Sequence, residues 1–203
     1  MLKSLILATA AAMTLAATPA LAASEGGVAV DAAMALTPNQ FVWADQTAAV
    51  ADPSLSDPVI VVISIADQRA YVYRGETLVA ASSVSTGKGG KETPVGTYTI
   101  LQKKEDHKSN LYNDAPMPFM QRLTWDGIAI HAGRNPGFPA SHGCIRVPTA
   151  FAKRLFATTQ LGTTVTVVDE PIDPAGPPPP PVPAFDAHEV ARANTMQIAG
   201  LDR

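Results

Sequence analysis

The chain has 203 residues, a formal net charge of −3 and one cysteine. An acidic excess this weak and this evenly spread argues against nucleic acid or an anionic membrane surface as the partner. Because a single cysteine cannot form an internal disulfide, its thiol is either buried and inert or kept for its chemistry.

The first predicted element is a secretory signal peptide over residues 1–22. Lys3 supplies a short basic start, residues 4–17 are almost wholly apolar, and Ala20-Leu21-Ala22 is a small-residue cleavage signal. The apolar run is short for a membrane anchor, and no later stretch is long and apolar enough to cross a bilayer. We therefore expect an exported protein that has no transmembrane segment after cleavage of the signal.

The next predicted elements are a leader and a series of strands. Residues 23–58 are rich in alanine, aspartate and proline, which predicts a partly ordered leader with one apolar island at Phe41-Val42-Trp43. Strands with β-branched and aromatic residues follow at short intervals, which indicates a β-meander rather than βαβ units. The predicted strands span residues 59–65, 70–73, 78–84, 97–101, 119–125 and 128–130.

A helix, a closing strand and a proline-rich tail complete the predicted order. Residues 148–159 have the one good helical pattern of the mature core, with a proline in the first turn and three apolar side chains on one face. Residues 163–168 form the closing strand. The tail, residues 169–203, contains PAGPPPPPVP, which favours polyproline II and predicts a disordered segment.

Three side chains near the cysteine can carry chemistry: His131, His142 and Cys144. A zinc site is disfavoured because no fourth ligand stands at a usual spacing and the H-E-x-x-H motif is absent. An inert thiol is disfavoured because polar residues flank Cys144, and polar or cationic neighbours lower a thiol pKa. A nucleophile explains more, since a histidine can activate the thiol and the N–H groups of Gly143 and Cys144 can stabilise a carbonyl oxyanion.

Two stretches of the sequence resemble one known family. I-H-A-G at residues 130–133, a loop, and S-H-G-C-I-R at residues 141–146 resemble the active-site signature of L,D-transpeptidases, whose catalytic module is often called the YkuD domain. The pattern S-T-G-x-x-x-x-x-T-P-x-G-x-Y at residues 85–98 resembles a second stretch of that family. The resemblance covers residues 59–168. It implies a mainly β catalytic domain, a curled mixed sheet or β-sandwich with one or two short helices, and no cofactor or metal.

The resemblance also implies roles for individual residues. Cys144 matches the nucleophile and His131 the general base and acid. Ser141, His142 and Gly143 match positions that shape the pocket and the oxyanion site.

Two arginines complete the predicted site. Arg146 matches an arginine commonly found after the cysteine, and Arg134 lies in the loop before it. Each is a candidate to bind a substrate carboxylate. For Arg146 the alternative is structural, because a bidentate donor can also brace the loop that carries Cys144.

The resemblance implies a bacterial cell-wall enzyme located in the periplasm or envelope, whose substrates are peptidoglycan stem peptides. Cys144 would attack the carbonyl of the third-position diamino acid of a tetrapeptide stem and expel D-alanine. The acyl group would then pass to another stem in a 3→3 cross-link, to a free D-amino acid, or to a lysine of an anchored envelope protein. Water as acceptor would make the chain an L,D-carboxypeptidase.

Two other function classes stay open. A papain-like cysteine peptidase predicts a helix that begins at the cysteine and a histidine after it, whereas here His131 precedes Cys144. A non-catalytic wall-binding module predicts that replacement of Cys144 by alanine leaves binding intact.

Overall fold

A computed structural model describes residues 28–44, 57–110 and 113–183. The predicted signal peptide, part of the predicted leader and residues 184–203 of the predicted tail lie outside the described residues. Within the described ranges, no helix is long and apolar enough to span a membrane.

In chain order the elements are α1 (Val30–Met34), β1 (Phe41–Trp43), β2 (Val59–Ser64), β3 (Arg69–Arg74), β4 (Thr77–Ser83), β5 (Gly96–Thr99), β6 (Gln102–Lys104), β7 (Met120–Arg122), β8 (Ala129–Ala132), β9 (Ile145–Val147), α2 (Thr149–Thr158) and β10 (Thr164–Val168).

The larger sheet has six strands in the order β1-β4-β3-β2-β10-β5. Strands β2, β3 and β4 form an antiparallel meander, as the spacing of the strands predicts. At the centre β2 runs parallel to β10, with Val61 opposite Val165 and Ile63 opposite Val167. Both strands are rich in β-branched residues and almost wholly buried, which is the usual pattern of a parallel pair covered on both faces.

The smaller sheet has four strands in the order β6-β7-β8-β9. Its strands are three or four residues long, and β8 runs parallel to β9 with His131 opposite Arg146. This pairing brings the histidine strand and the cysteine segment side by side, although the two are separated in sequence by a loop rich in proline and glycine.

The main core lies between the two sheets and includes the apolar face of α2. Phe151 and Leu155 of α2 pack there with Val61 and Val165 of the larger sheet and Ile130 of the smaller one. A second apolar cluster covers the other face of the larger sheet. It contains Ala33, Leu36, Val62, Tyr71, Tyr73, Leu78 and Ala81, with Ile172 packed against it.

The predicted fold class is confirmed, because the chain is mainly β with mixed sheets and two short helices among the described residues. The sequence did not predict α1, β6 or β9. Each of these elements is only three to five residues long, which is too short for a periodic pattern to stand out. The predicted strand at residues 119–125 is also shorter in the structure, Met120–Arg122.

The chain after β10 follows the larger sheet without forming a helix or a strand up to residue 183. Ser64 Oγ donates to the Glu170 carbonyl (2.8 Å), and the Ile172 amide donates to Asp67 Oδ2 (2.9 Å). Further on, the Val182 amide donates to Thr97 Oγ1 (2.8 Å) beside the edge strand β5. These bonds hold the first part of the proline-rich segment against the sheet.

Candidate active site

A cavity of about 700 Å³ lies beside the smaller sheet. Six of the seven predicted site residues line it: His131, Arg134, Ser141, His142, Cys144 and Arg146. The seventh, Gly143, is buried behind the cavity wall. His142 and Arg134 are exposed at the rim, whereas His131 and Ser141 are buried.

Strand β9 places Cys144 and Arg146 on the cavity side by simple alternation. Ile145 and Val147 are fully buried in the main core. Side chains of an extended segment point to opposite faces in turn, so the residues between and before them face the cavity. Burial of the two apolar side chains therefore fixes the direction of the thiol.

The Cys144 thiol lies in a mixed environment. It donates a weak hydrogen bond to the Gly127 carbonyl (3.4 Å) and packs against the apolar cluster of Met117, Met120 and Ala129. Burial raises the pKa of the thiol, and this effect outweighs the opposite effects of the Ala129 amide and the positive charge of Arg146. The sequence predicted that polar and cationic neighbours would lower the pKa of Cys144. This prediction is wrong, because the net shift is upward.

The ring of His131 is buried and held through one nitrogen. Nδ1 lies 2.8 Å from the Ala132 carbonyl oxygen, which can only accept a hydrogen bond. The neutral ring therefore carries its proton on Nδ1 and presents Nε2 as an acceptor. Burial lowers the pKa of His131, and the charges of Arg146 and His107 act in the same direction. Both shifts favour a neutral thiol and a neutral imidazole.

Two hydrogen bonds of Ser141 shape the segment that leads to the thiol. Its hydroxyl accepts from the Gly143 amide (3.1 Å) and donates to the Cys144 carbonyl (2.5 Å). The Gly143 amide is therefore paired with a side chain in this structure. The role of the Gly143 and Cys144 amides as oxyanion donors stays a prediction.

The two stretches that resemble one family meet at this site. Ser85 and Arg146 exchange both backbone hydrogen bonds (2.9 and 3.0 Å), and the Lys88 amide donates to the Ser141 carbonyl (3.1 Å). Gly87 has no room for a side chain, because an added Cβ would stand 2.0 Å from the Lys91 carbonyl oxygen. The glycine-rich segment is therefore a tight support for the cysteine segment and not a flexible loop.

Sequence reasoning missed three contributors to the site: Thr93, Gly127 and Ala129. Thr93 is buried, accepts a hydrogen bond from the Gly87 amide (2.9 Å) and donates to the Gly143 carbonyl (2.8 Å). Gly127 and Ala129 act on the thiol through backbone groups. Only Thr93 had a signal in the sequence, because it stands in the second resembling stretch. The backbone contacts had none.

Arg146 lines the cavity with a half-buried side chain. Among the described residues, its buried Nε has no hydrogen-bond partner. The stem of Arg146 passes over Gly133, where an added Cβ would stand 2.9 Å from Arg146 Cδ. Both predicted roles of Arg146, binding of a carboxylate and bracing of the loop, stay predictions.

The described residues contain no group of three histidine, cysteine or carboxylate side chains that could hold a metal ion. The side chains that line the cavity include a thiol, an imidazole held through Nδ1 and two guanidinium groups.

Comparison with known proteins agrees with this geometry. The family model of the L,D-transpeptidase catalytic domain, YkuD, matches residues 58–167, slightly more than half of the chain. The probable L,D-transpeptidase YbiS of Escherichia coli strain K12 is 27% identical, and the match covers 55% of this chain and 45% of that protein. The chain thus spans about half the length of the curated relatives that it matches.

Solved structures show the same fold. An L,D-transpeptidase from Stackebrandtia nassauensis matches with a TM-score of 0.51 and 25% identity, over 57% of this chain and 58% of that one. The structure of LdtMt1 in complex with imipenem matches with a TM-score of 0.52 and 23% identity, over 55% of this chain and 59% of that one.

Proposed function

The chain belongs to the L,D-transpeptidase (YkuD) family, and on that premise we propose that it is an exported acyltransferase with a cysteine nucleophile. Its substrates are peptidoglycan stem peptides in the periplasm or envelope of a bacterium, where it contributes to cell-wall biogenesis and cell shape. The observation that carries the proposal is the placement of Cys144 and His131 on one cavity, with the His131 ring bonded so that Nε2 is unprotonated.

In the acylation step the Cys144 thiol transfers its proton to His131 as the sulfur attacks the substrate. Cys144 Sγ attacks the carbonyl carbon of the third-position diamino acid while His131 Nε2 accepts the thiol proton. The C–S bond forms and the π electrons of the carbonyl move to its oxygen. A preformed thiolate–imidazolium pair is not needed, and the shifts of both pKa values favour the neutral pair at rest.

Collapse of the tetrahedral intermediate breaks the C–N bond to the terminal D-alanine. The proton on His131 Nε2 moves to the leaving amine, and the acyl group stays on Cys144 as a thioester. The Cys144 amide donates to the oxyanion during both steps, since the Gly143 amide is occupied by Ser141.

Two cations favour an acidic stem peptide. Arg146 lines the same cavity as the thiol and has a buried Nε without a hydrogen-bond partner among the described residues. Arg134 is exposed at the rim of this cavity. A guanidinium binds a carboxylate through two parallel hydrogen bonds. We assign Arg146 to a carboxylate of the donor stem and Arg134 to steering of the substrate at the entrance.

An amine then attacks the thioester carbonyl, so that a C–N bond forms and the C–S bond to Cys144 breaks. His131 Nε2 accepts the proton of the amine and returns it to the sulfur, which regenerates the thiol. The amine belongs to a second stem in a 3→3 cross-link, to a free D-amino acid, or to a lysine of an anchored envelope protein. Water in its place would give tripeptide stems and make the chain an L,D-carboxypeptidase.

The test uses purified tetrapeptide muropeptides, with and without added D-methionine, and reads the products by mass. We expect loss of D-alanine together with dimers or stems that carry D-methionine, and no product with Cys144→Ala. Tripeptides alone would replace the transferase with a hydrolase. Unchanged tetrapeptides in the presence of folded protein would contradict the proposed function.

A further inference from the structure

In the proposed mechanism the Cys144 amide donates to the oxyanion, so the direction of this N–H matters. The Gly143 carbonyl and the Cys144 N–H belong to the same peptide plane, and none of the described peptide bonds is cis. In a trans peptide the C=O and N–H vectors point in opposite directions. Whatever fixes the Gly143 carbonyl therefore also fixes the direction of the Cys144 N–H.

Thr93 is the residue that fixes this carbonyl. Its hydroxyl lies 2.8 Å from the Gly143 oxygen and 2.9 Å from the Gly87 nitrogen. Because the Gly87 amide can only donate, the hydroxyl accepts from it and directs its own proton to the Gly143 carbonyl. Thr93 is only 3% exposed, so both bonds are largely shielded from bulk solvent.

The glycine at position 143 makes this restraint necessary. Gly143 has a φ of +111°, a region that other residues rarely adopt, and a glycine has no side chain to limit its rotation. An added Cβ would also stand 2.7 Å from Ile128 Cδ1. Ser141 holds the amide on one side of Gly143, and Thr93 holds the carbonyl on the other.

We propose that Thr93 is a positioning residue that aims the Cys144 amide at the oxyanion. This inference rests on the proposed function, because it supposes acyl transfer to Cys144. Loss of the Thr93 hydroxyl should slow reactions that form an oxyanion and spare reactions of the same thiol that do not form one. We expect a fall of about 10- to 100-fold, somewhat less than the ~10²–10³-fold cost of deleting a whole oxyanion donor.

The test compares Thr93→Ser with Thr93→Ala. Both variants lack the γ-methyl group, and they differ only in the hydroxyl. Each is treated with imipenem, a β-lactam whose carbonyl forms an oxyanion on attack, and separately with iodoacetamide, whose saturated carbon does not. Thr166→Val serves as the control, since it deletes a buried hydroxyl from β10, away from the cavity.

The expected result is slow acylation by imipenem in Thr93→Ala only, with iodoacetamide rates equal in all variants. Equal acylation of Thr93→Ala and Thr93→Ser would overturn the inference. If Thr93→Ala reacts more slowly with imipenem and with iodoacetamide to the same extent, the inference is also overturned and Thr93 has a structural role. A variant that fails to fold gives this same result. If wild-type protein reacts with iodoacetamide and not with imipenem, the proposed function fails instead.

Discussion

The two sheets of this protein differ in what their residues do. The six-stranded sheet has strands of up to seven residues, buries most of its side chains on both faces and contributes no residue to the cavity. The four-stranded sheet has strands of three or four residues and carries His131 and Arg146, with Cys144 directly before β9. Both sheets contribute to the main core, but only the smaller one also provides side chains that line the cavity.

The two sheets share the main apolar core, to which helix α2 also contributes side chains. The glycine-rich segment pairs with the cysteine segment through Ser85 and Arg146. If this division is correct, changes in the cavity should remove activity with little loss of stability. Changes in the core should do the reverse.

The largest effect is expected for His131→Gln. Removal of the base should slow acylation by imipenem about 10²–10⁴-fold. The lost hydrogen bond to the Ala132 carbonyl should lower the free energy of unfolding by only about 1 kcal/mol. Rates from intact mass and a urea titration measure the two effects. Retention of more than half of the acylation rate would remove His131 from its proposed role.

The next effect concerns the core. Phe151 is fully buried, and its ring centroid lies 5.3 Å from that of Trp43 and 5.8 Å from that of Phe41. Phe151→Ala should lower the free energy of unfolding by about 3–5 kcal/mol, measured by urea unfolding, while the folded fraction still acylates.

The matched control for this substitution is Phe156→Ala on the same helix. Phe156 is only half-buried, so its replacement should cost clearly less stability. Equal losses from the two phenylalanines would contradict the placement of the core.

The pH dependence of acylation should separate the cavity from the core. Because burial lowers the pKa of His131, its base form persists below the ordinary histidine pKa of 6.5. More than half of the plateau rate should therefore remain at pH 6.5, and the rate should fall at lower pH as Nε2 becomes protonated. The unfolded chain takes up this proton first, so the free energy of unfolding should also decline below pH 6.5.

Rates of acylation by imipenem, measured between pH 4 and 8 at intervals of about half a pH unit, test this profile across the range in which a histidine titrates. His131→Gln should lose the acidic limb. An acidic limb centred above pH 6.5 would contradict the neutral resting state.

The smallest effect is expected for Val182→Pro. This change deletes the amide that donates to Thr97 Oγ1 beside β5 and keeps the extended path that its proline neighbours favour. The free energy of unfolding should fall by about 0.5–1.5 kcal/mol, with an unchanged acylation rate. A change in the rate would mean that the segment after β10 communicates with the cavity.

The sequence predicted the larger sheet better than the smaller one for a physical reason. Strands such as β2 and β4 are long enough, and buried enough, for their β-branched pattern to stand out from neighbouring turns. Strand β9 has three residues, and its identity depends on pairing with β8, which is distant in sequence. Pairing of this kind leaves no local pattern.

The same limit applies to the site. The thiol and both histidines could be found from residue type, but the state of the thiol could not. Its flanking residues are polar, whereas Met117 and Met120 reach Cys144 from a remote segment and dominate its environment by burial. Likewise, the pairing of the Gly143 amide with Ser141 follows from local backbone geometry that residue types do not reveal.

The intact mass of the protein after exposure to imipenem tests most directly whether Cys144 is the nucleophile. We expect one covalent adduct per chain, located on Cys144 by peptide mapping and absent from Cys144→Ala, with thermal unfolding that stays cooperative in both proteins. An adduct that persists in Cys144→Ala, or folded wild-type protein that gains no mass, would contradict the assignment of Cys144 as the nucleophile.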